Sequence, residues 1–384
     1  MATRLTVVQI LPAMESGGVE RGTVEVGAEL VRRGHRAIVI SAGGRMVHEL
    51  ARHKVEHVDW TVGKKSLTTL RFIRRLRKFL RDERVDILHA RSRLPAWIAY
   101  RAWRGMDPRT RPRFVTTVHG FYSVGRYSAV MTKGERVICV SSSVKDYVLA
   151  NYAGVDPDKL RVIHRGVDPQ LYPYGYMPGS YWVADWYRQY PALQEDYVVT
   201  LPARITRWKG QEDFVEIIEA LVQRGLSVRG LLVGDTHPTK QAFAREIEAL
   251  VRERGLEGRV IITGHRGDLR EVMAMSDVVL SLSRDPEAFG RTTIEALSIG
   301  RPVCGYAHGG VKEQLEVVFP EGAVPVGDKQ AVVDRIMQWY ERPACVPDTK
   351  RFTLRRMLDA TLAVYAELAD AESSKGAHGS SGGA

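Results

Sequence analysis

Cysteine is scarce in this 384-residue chain: Cys139, Cys304 and Cys345 are scattered, odd in number and nowhere arranged as C-x-x-C. That argues against a disulfide framework or a zinc site and fits a reducing compartment. No apolar run approaches 18 residues, and the opening stretch "RLTVVQILPAMESGG" is broken by Gln9 and Pro12. It is too short for a signal peptide and reads as a buried first strand. A G-x-x-x-x-G-K-[ST] loop is missing, and "GGVERG" (Gly17, Gly18, Gly22) fails the G-x-G-x-x-G spacing, so the nucleotide-triphosphate and nicotinamide readings lose support. Acidic residues are short in one half only. Residues 1–168 carry 31 Lys and Arg against 16 Asp and Glu, a net +15, whereas residues 169–384 carry 25 against 29, a net −4. So local an excess suggests a polyanionic partner, either nucleic acid or an anionic membrane surface.

What is present is ordinary for a globular protein, with 44% hydrophobic and 26% charged residues, and the length predicts two domains. Short Val/Ile/Leu-rich runs at 5–11, 36–42, 56–60, 86–90, 113–119, 136–141 and 160–164 predict strands in the first half. Runs at 197–203, 228–234, 259–263, 278–282, 302–307 and 323–326 predict six more in the second. Continuous rather than alternating apolar character is expected of parallel strands covered on both faces. Amphipathic helices lie between them, such as 239–254 with Phe243, Ile247, Leu250 and Val251 on one stripe. The expected fold class is α/β, two doubly wound Rossmann-like domains. The first is set at 1–170 and the second at 171–348, with a boundary in 169–196, a Pro-, Gly- and aromatic-rich segment without a clear period. A C-terminal helix at 349–372, packing back toward the first domain, and a disordered tail at 373–384 complete the chain.

Three stretches carry chemistry. Gly17 and Gly18 follow the first strand; the pair either turns the chain or lets a ligand approach the backbone. In "TLPARITRWKGQEDF", Arg204 leaves a strand end and Lys209 stands five residues on, before a helix. Ligands of open α/β sheets bind at the carboxyl ends of strands, where Arg204 as a planar fork and Lys209 as a point charge suit a diphosphate; the plainer reading is a pair of solvated cations. In "DPEAFGRTTIEALSIGRPV" (285–303), Glu287 lies in the turn after a strand and Glu295 in the helix which that turn opens. The helix start suits a phosphate, which leaves a carboxylate toward each end of the diphosphate, each able to accept hydroxyls of a sugar. A ribose and a pyranose describe a nucleotide sugar. Asp285 and Glu287 have D-x-E spacing, but Pro286 stiffens the turn and no second ligand cluster accompanies them, so no metal is expected.

These residues resemble the retaining GT-B glycosyltransferases of family 4, over nearly the whole chain. The resemblance rests on Gly17-Gly18, Val118-His119-Gly120, "HRGVD" (164–168), "ARITRWKG" (203–210), "GHRGDL" (264–269), "EAFGRTTIE" (287–295) and "GRPVCGYAHGG" (300–310). It implies two Rossmann-like domains facing across a cleft, and transfer of a sugar from a UDP- or GDP-sugar bound mainly by the second domain, with no metal or other cofactor. Arg204 and Lys209 would hold the diphosphate, Glu295 the ribose, and Glu287 the donor sugar. Phe289, Gly290, Arg291 and Thr292 would line sugar and phosphate, and Gly17 and Gly18 would stand by the donor. The 264–269 loop, with Arg266 and Leu269, would hold the base edge through main-chain groups, and His119 would reach the sugar. His119, Glu287, Arg204 and Lys209 form the implied catalytic set. The chain departs from the family at Ala288, where Gly is common, at Arg291, where an apolar residue is common, and at Arg165, where Asn is usual.

The basic excess concentrates in "KKSLTTLRFIRRLRKFLRDER" (64–84), with nine Lys and Arg around Leu67, Leu70, Ile73, Leu76 and Leu80 at helical spacing. The apolar stripe suits packing on the sheet, and the cations, among them Arg71, Arg74, Arg75, Arg77 and Lys78, suit an anionic lipid surface. No nucleic-acid module accompanies them, so no nucleic-acid partner is expected. The combined expectation is a cytoplasmic enzyme peripherally attached to the inner face of the membrane, with a lipid-linked or lipopolysaccharide-type glycan as acceptor. A nucleic-acid-binding protein, a silent membrane scaffold and a nucleotide-sugar epimerase of the same fold are the competing readings.

Overall fold

The computed structural model describes residues 4–15, 17–235 and 241–377, and the chain divides into two compact units. Unit 1 is Met1–Gly166 with Leu354–Ala384, and unit 2 is Val167–Thr353.

In unit 1 the strands are β1 (Thr6–Ile10), β2 (Arg36–Ser41), β3 (Glu56–Asp59), β4 (Ile87–Ala90), β5 (Arg113–Val118), β6 (Arg136–Cys139) and β7 (Leu160–Val162). They pair in parallel in the order β3-β2-β1-β4-β5-β6-β7. In unit 2 they are β8 (Tyr197–Pro202), β9 (Val228–Val233), β10 (Val260–Gly264), β11 (Val278–Ser281), β12 (Val303–Tyr306) and β13 (Ala323–Val324), in the order β10-β9-β8-β11-β12-β13, again all parallel. All thirteen expected strands are present. Both sheets are Rossmann-like, with helices between successive strands. Each reverses its strand order once, between β1 and β4 in unit 1 and between β8 and β11 in unit 2. Such a switch point opens a crevice at the carboxyl ends of the two strands, and open α/β sheets place their ligands there.

The core of unit 1 gathers Val7, Leu11, Val26, Leu30, Val39, Ile87 and Val115 with Met357, Leu358, Leu362, Tyr365 and Leu368 of the last helix. That helix, Leu354–Ala377, completes the core with a stripe at i, i+4, i+7 spacing, each large apolar side chain contributing about 1.5–3 kcal/mol on burial. It begins five residues later than expected and runs past 373, where a disordered tail was set; 378–384 lie outside the described residues. The division between units falls at Gly166 rather than 170. In unit 2, the helix Gln241–Glu253 buries Phe243, Ile247 and Val251; the expected start at 239–240 lies outside the described residues. Burial pushes the Cys139 and Cys304 thiols up to about 12, so neither is a reactive thiolate.

Two local expectations need correction. The boundary segment 169–196 contains a helix, Ser180–Gln189. Its period is carried by aromatic residues: Trp182 stacks on Trp186 at 5.2 Å and Trp186 packs on Tyr190 at 4.7 Å, so i, i+4, i+8 spacing was present in large rings rather than in aliphatics. In the basic stretch the α-helix is Arg71–Asp82 and Leu67–Leu70 is 3₁₀. The change from three to 3.6 residues per turn rotates the stripe. Phe72, Leu76 and Leu80 are buried, while Leu70 is 58% exposed; the side chain of Leu67 lies outside those described.

Candidate active site

The switch point of unit 2 is built from the two loops that leave β8 and β11. After β8 the chain passes Arg204, makes a 3₁₀ turn at Arg207–Lys209 and enters the helix Gln211–Gln223 through Gly210, at φ +77°. A Cβ on Gly210 would collide with the backbone carbonyl of Leu282, so glycine is what lets the two loops approach. The Arg284 amide donates to the Trp208 carbonyl at 2.7 Å, and the Arg284 guanidinium reaches back to the buried Asp213. Asp213 also accepts from Tyr306 Oη at 2.9 Å. A buried carboxylate with three donors anchors both loops.

Glu287 and Lys209 meet in this frame. Lys209 Nζ donates to Glu287 Oε1 at 2.6 Å, with the two side chains 14% and 17% exposed, and Ser283 Oγ donates to the same oxygen at 2.6 Å. Glu287 Oε2 accepts no bond among the described residues. The ammonium also lies 4.1 Å from the centroid of the Trp208 ring. The loop is braced from the helix Gly309–Val318: Gly310 N donates to Glu287 O at 2.7 Å, His308 Nε2 to Ser283 O at 2.6 Å, and Gln314 Nε2 to Phe289 O. Gly310 has Phe289 backbone where a Cβ would sit. Gly290, at φ +83°, turns the chain into the helix Arg291–Ser298, and a Cβ there would stand 2.6 Å from Val311.

Of the other expected donor residues, Arg204 is exposed and makes no ion pair among the described residues. Phe289 is buried and meets Phe352 edge-on at 5.9 Å. Thr292 is half-buried. Glu295 is buried and accepts from Arg291 Nε at 2.9 Å, so its carboxylate is charge-paired within its own helix. Arg266 is engaged by Asp268 through two bonds, 2.8 and 2.6 Å, over the Trp186 ring. Leu269 packs its side chain into the apolar core, which leaves only its backbone for a ligand.

Unit 1 holds the remaining candidates. Gly17 is the N-cap of the helix Gly18–Arg32 at φ +147°, and a Cβ there would approach Glu20 Oε2 to 2.7 Å; at Gly18 a Cβ would meet nothing. His119 follows β5, and its Nδ1 lies 2.5 Å from Arg165 Nη2. Burial first, then the cations Arg165 and Arg91, hold the His119 imidazole well below the usual histidine range. On the basic helix the five cations have different tasks. Arg74 is exposed. Arg71 lies 5.3 Å from the Phe72 ring centroid, Arg75 lies 4.4 Å from that of Trp60, and Lys78 pairs with Asp82. Arg77 donates to the carbonyls of Arg101 and Ala102, both at 3.1 Å, which makes it a cap on the helix Arg93–Arg104. Among the described residues no helix is long and apolar enough to cross a membrane, and no group of three His, Cys, Asp or Glu stands close enough to hold a metal ion.

Comparison with known proteins assigns both units. Residues 16–171 match the family described as Glycosyltransferase Family 4, and residues 184–354 match Glycosyl transferases group 1. The chain belongs to glycosyltransferase family 4. The solved structure of a glycosyltransferase from Rickettsia africae superposes with a TM-score of 0.84, at 29% identity, over 95% of this chain and 98% of that one. The N-acetyl-alpha-D-glucosaminyl L-malate synthase of Bacillus anthracis is 25% identical over 345 residues, 85% of each chain. At the level of fold alone, an Anabaena protein solved with UDP-glucose aligns at TM-score 0.74 and 21% identity over 98% of this chain and all of that one. The transferase therefore has the GT-B architecture of two Rossmann-like domains.

Sequence reasoning passed over several residues that shape this transferase's sites. Ser283 directly follows the run 278–282 identified as a strand, and its proximity to Glu287 at i+4 was a usable signal. Asp213, Tyr306 and His308 gave none, since each acts on a loop distant in sequence. Arg91, directly after β4, gave one in principle: a strand end is where an α/β sheet presents functional groups.

Proposed function

We propose that this family 4 transferase moves a sugar from a UDP- or GDP-sugar, with retention at the anomeric carbon, to a lipid-linked or lipopolysaccharide-type glycan at the cytoplasmic face of a membrane. The observation that carries the donor reading is the Lys209–Glu287 pair, held by Ser283 at the switch point of unit 2, with Arg204 exposed on the same loop as Lys209. Lys209 and Arg204 take the diphosphate, and the free amides of the helix Arg291–Ser298 face its oxygens. As the glycosidic bond breaks, negative charge grows on the leaving diphosphate, and both cations hold it more tightly than in the ground state. Glu287 accepts sugar hydroxyls through Oε2 while Ser283 and Lys209 fix Oε1, and Glu295 receives the ribose. His119 donates to the donor sugar. In a front-face transfer the leaving phosphate takes the acceptor proton, so no second carboxylate pair is needed and no metal is required.

The basic face of the helix Arg71–Asp82 favours a membrane-borne acceptor. A thermal-shift panel of UDP-, GDP-, ADP- and dTDP-sugars, run in EDTA, tests the donor. One nucleotide should raise the melting temperature well above the rest, and transfer should proceed without added metal. An equal response to all four, or complete dependence on magnesium, would refute the corresponding part.

A further inference from the structure

Unit 1 has a cavity of about 530 Å³ at the amino ends of β4 and β5, the edge of its sheet opposite the switch point. Four guanidinium groups line it: Arg77 and Arg81 from the helix Arg71–Asp82, Arg84 from the turn after that helix, and Arg111 from the loop before β5. Arg77 directs Nε and Nη2 to the Ala102 and Arg101 carbonyls. It lies where a Cβ on Gly105 would stand, and Gly105 has φ −94°, open to any residue, so the bare α-carbon there makes room for the guanidinium. Arg81 approaches only Asp82, at 3.7 Å. The Arg111 guanidinium carbon lies 3.5 Å from the centroid of the Trp103 ring. Stacking holds its plane in place, while its N–H groups make no hydrogen bond or ion pair among the described residues.

Two carboxylates share the lining and are held elsewhere. Asp86 Oδ2 accepts from the Thr6 amide at 2.7 Å, and Asp107 is taken by the side chain and amide of Arg109. Neither forms an ion pair with Arg84 or Arg111. Arg84 is also unusual in its backbone, at φ +47°. Its amide donates to Arg81 O and the Val85 amide to Leu80 O, so it closes its helix at the left-handed position that glycine ordinarily fills. Gly34, Gly225, Gly255 and Gly300 close four other helices with the same two bonds. A residue with a Cβ is held there at a cost that glycine avoids. Lys54 is the other non-glycine residue in that conformation among the described residues, and it does not line the cavity. Strain of this kind is informative only beside a second observation. Arg84 has one: its exposed guanidinium, bonded to no described residue, lines a cavity together with the uncommitted Arg111.

Four cations against two carboxylates, in a space of small-molecule size, suit an anionic ligand. Guanidinium groups recognise phosphate oxygens through paired N–H donors. We propose that this cavity is a ligand site of unit 1, in which Arg84 and Arg111 take the phosphate group of an anionic molecule. The site goes beyond the glycosyl-transfer reading and does not depend on it. A soluble phosphate ester and a phospholipid headgroup offer the same group, the second because the cavity borders the basic helix.

The test uses the whole protein with inorganic pyrophosphate as probe, titrated calorimetrically at saturating UDP so that the proposed donor site is occupied. Wild type should bind pyrophosphate saturably. Arg84→Gly should weaken that binding about tenfold or more, leave UDP binding unchanged and raise the melting temperature, since glycine suits the left-handed position. A loss of binding with a gain in stability cannot come from misfolding. Lys54→Gly removes an exposed cation from the same kind of helix end; it should raise the melting temperature and leave pyrophosphate binding as it was. Arg111→Gln should weaken pyrophosphate as Arg84→Gly does. No saturable binding by wild type, undiminished binding by Arg84→Gly, or equal losses in Arg84→Gly and Lys54→Gly would overturn the site. Sedimentation with phosphatidylglycerol vesicles separates the two sources. A loss in Arg84→Gly that Lys54→Gly does not share assigns the lipid headgroup, and equal behaviour of the two assigns a soluble ester. If UDP fails to bind, the donor reading falls, while the comparison of Arg84→Gly with Lys54→Gly in pyrophosphate still decides this site.

Discussion

The two units share an architecture and differ in how they handle charge at the same topological place. In unit 2 the cation at the switch point is already matched: Lys209 rests on Glu287, and Arg284 on Asp213. In unit 1 the cation at the equivalent place, Arg91, is buried with a single amide partner. A matched pair is inexpensive to keep and presents both signs, which suits a ligand that brings both anionic and hydroxyl groups, as a nucleotide sugar does. At Arg91 the counter-charge comes from a distance, from Glu25 and Glu20, without a bonded pair. Similar sheets thus arrive at sites of opposite electrostatic logic, and the difference lies in loop residues rather than in the strands.

The sharpest way to break the comparison is to remove the anion from the matched side. Glu287→Ala should lower transfer by about 10³-fold, since the sugar loses its acceptor where the transition state needs it. UDP binding should hold or tighten, because Lys209 is released from its ion pair toward the diphosphate. Measured turnover within tenfold of wild type would remove Glu287 from the reaction.

Next in size come the two cations. Lys209→Ala should reduce turnover about 10²-fold, for it takes away leaving-group stabilisation and also leaves Glu287 half-buried without its partner. Arg204→Ala, exposed and unpaired with any carboxylate of the described residues, should cost only about tenfold and appear mainly as weaker nucleotide binding. Steady-state kinetics with a donor titration separates the two patterns. An equal loss at both positions would mean that Lys209 gains nothing from its place beside Glu287.

This contrast also explains what could be read from the chain. The strands were legible because parallel strands covered on both faces are continuous apolar runs. The positions of Glu287 and Lys209 after strand ends were legible because each lies in a short strand–loop–helix stretch whose local pattern is informative. The surroundings of Arg91 were not, since Gln9, Gly22, His119 and Arg165 are far apart in sequence and meet only when the sheet is ordered β1-β4-β5-β6-β7. The helix Ser180–Gln189 hid its period in aromatic residues, and the stripe of the basic helix was misphased because a 3₁₀ turn precedes it. Each miss is a place where tertiary packing or a change of helical pitch overrode the local pattern.

The smallest expected effects belong to the basic helix, and they sort its cations by task. Arg74, Lys78 and Arg81 are exposed or paired only with Asp82. Changing all three to Gln should leave the melting temperature within about 2 °C of wild type, as surface changes away from structural features do. The same protein should lose much of its sedimentation with anionic vesicles, and that binding should be released by salt, since exposed charges are screened over about 8–10 Å at moderate ionic strength. Arg77→Gln should behave in the opposite sense. Its guanidinium caps the Arg101 and Ala102 carbonyls, so it should cost about 1 kcal/mol or more of stability and little vesicle binding. UDP binding, which the proposed function places in unit 2, should be untouched in both. If wild type ignores anionic vesicles at low salt, the exposed cations are a solvated face and a soluble acceptor replaces the membrane-borne one. If Arg77→Gln alone abolishes vesicle binding at unchanged stability, the division of labour along this helix is wrong, and the cap is the lipid contact.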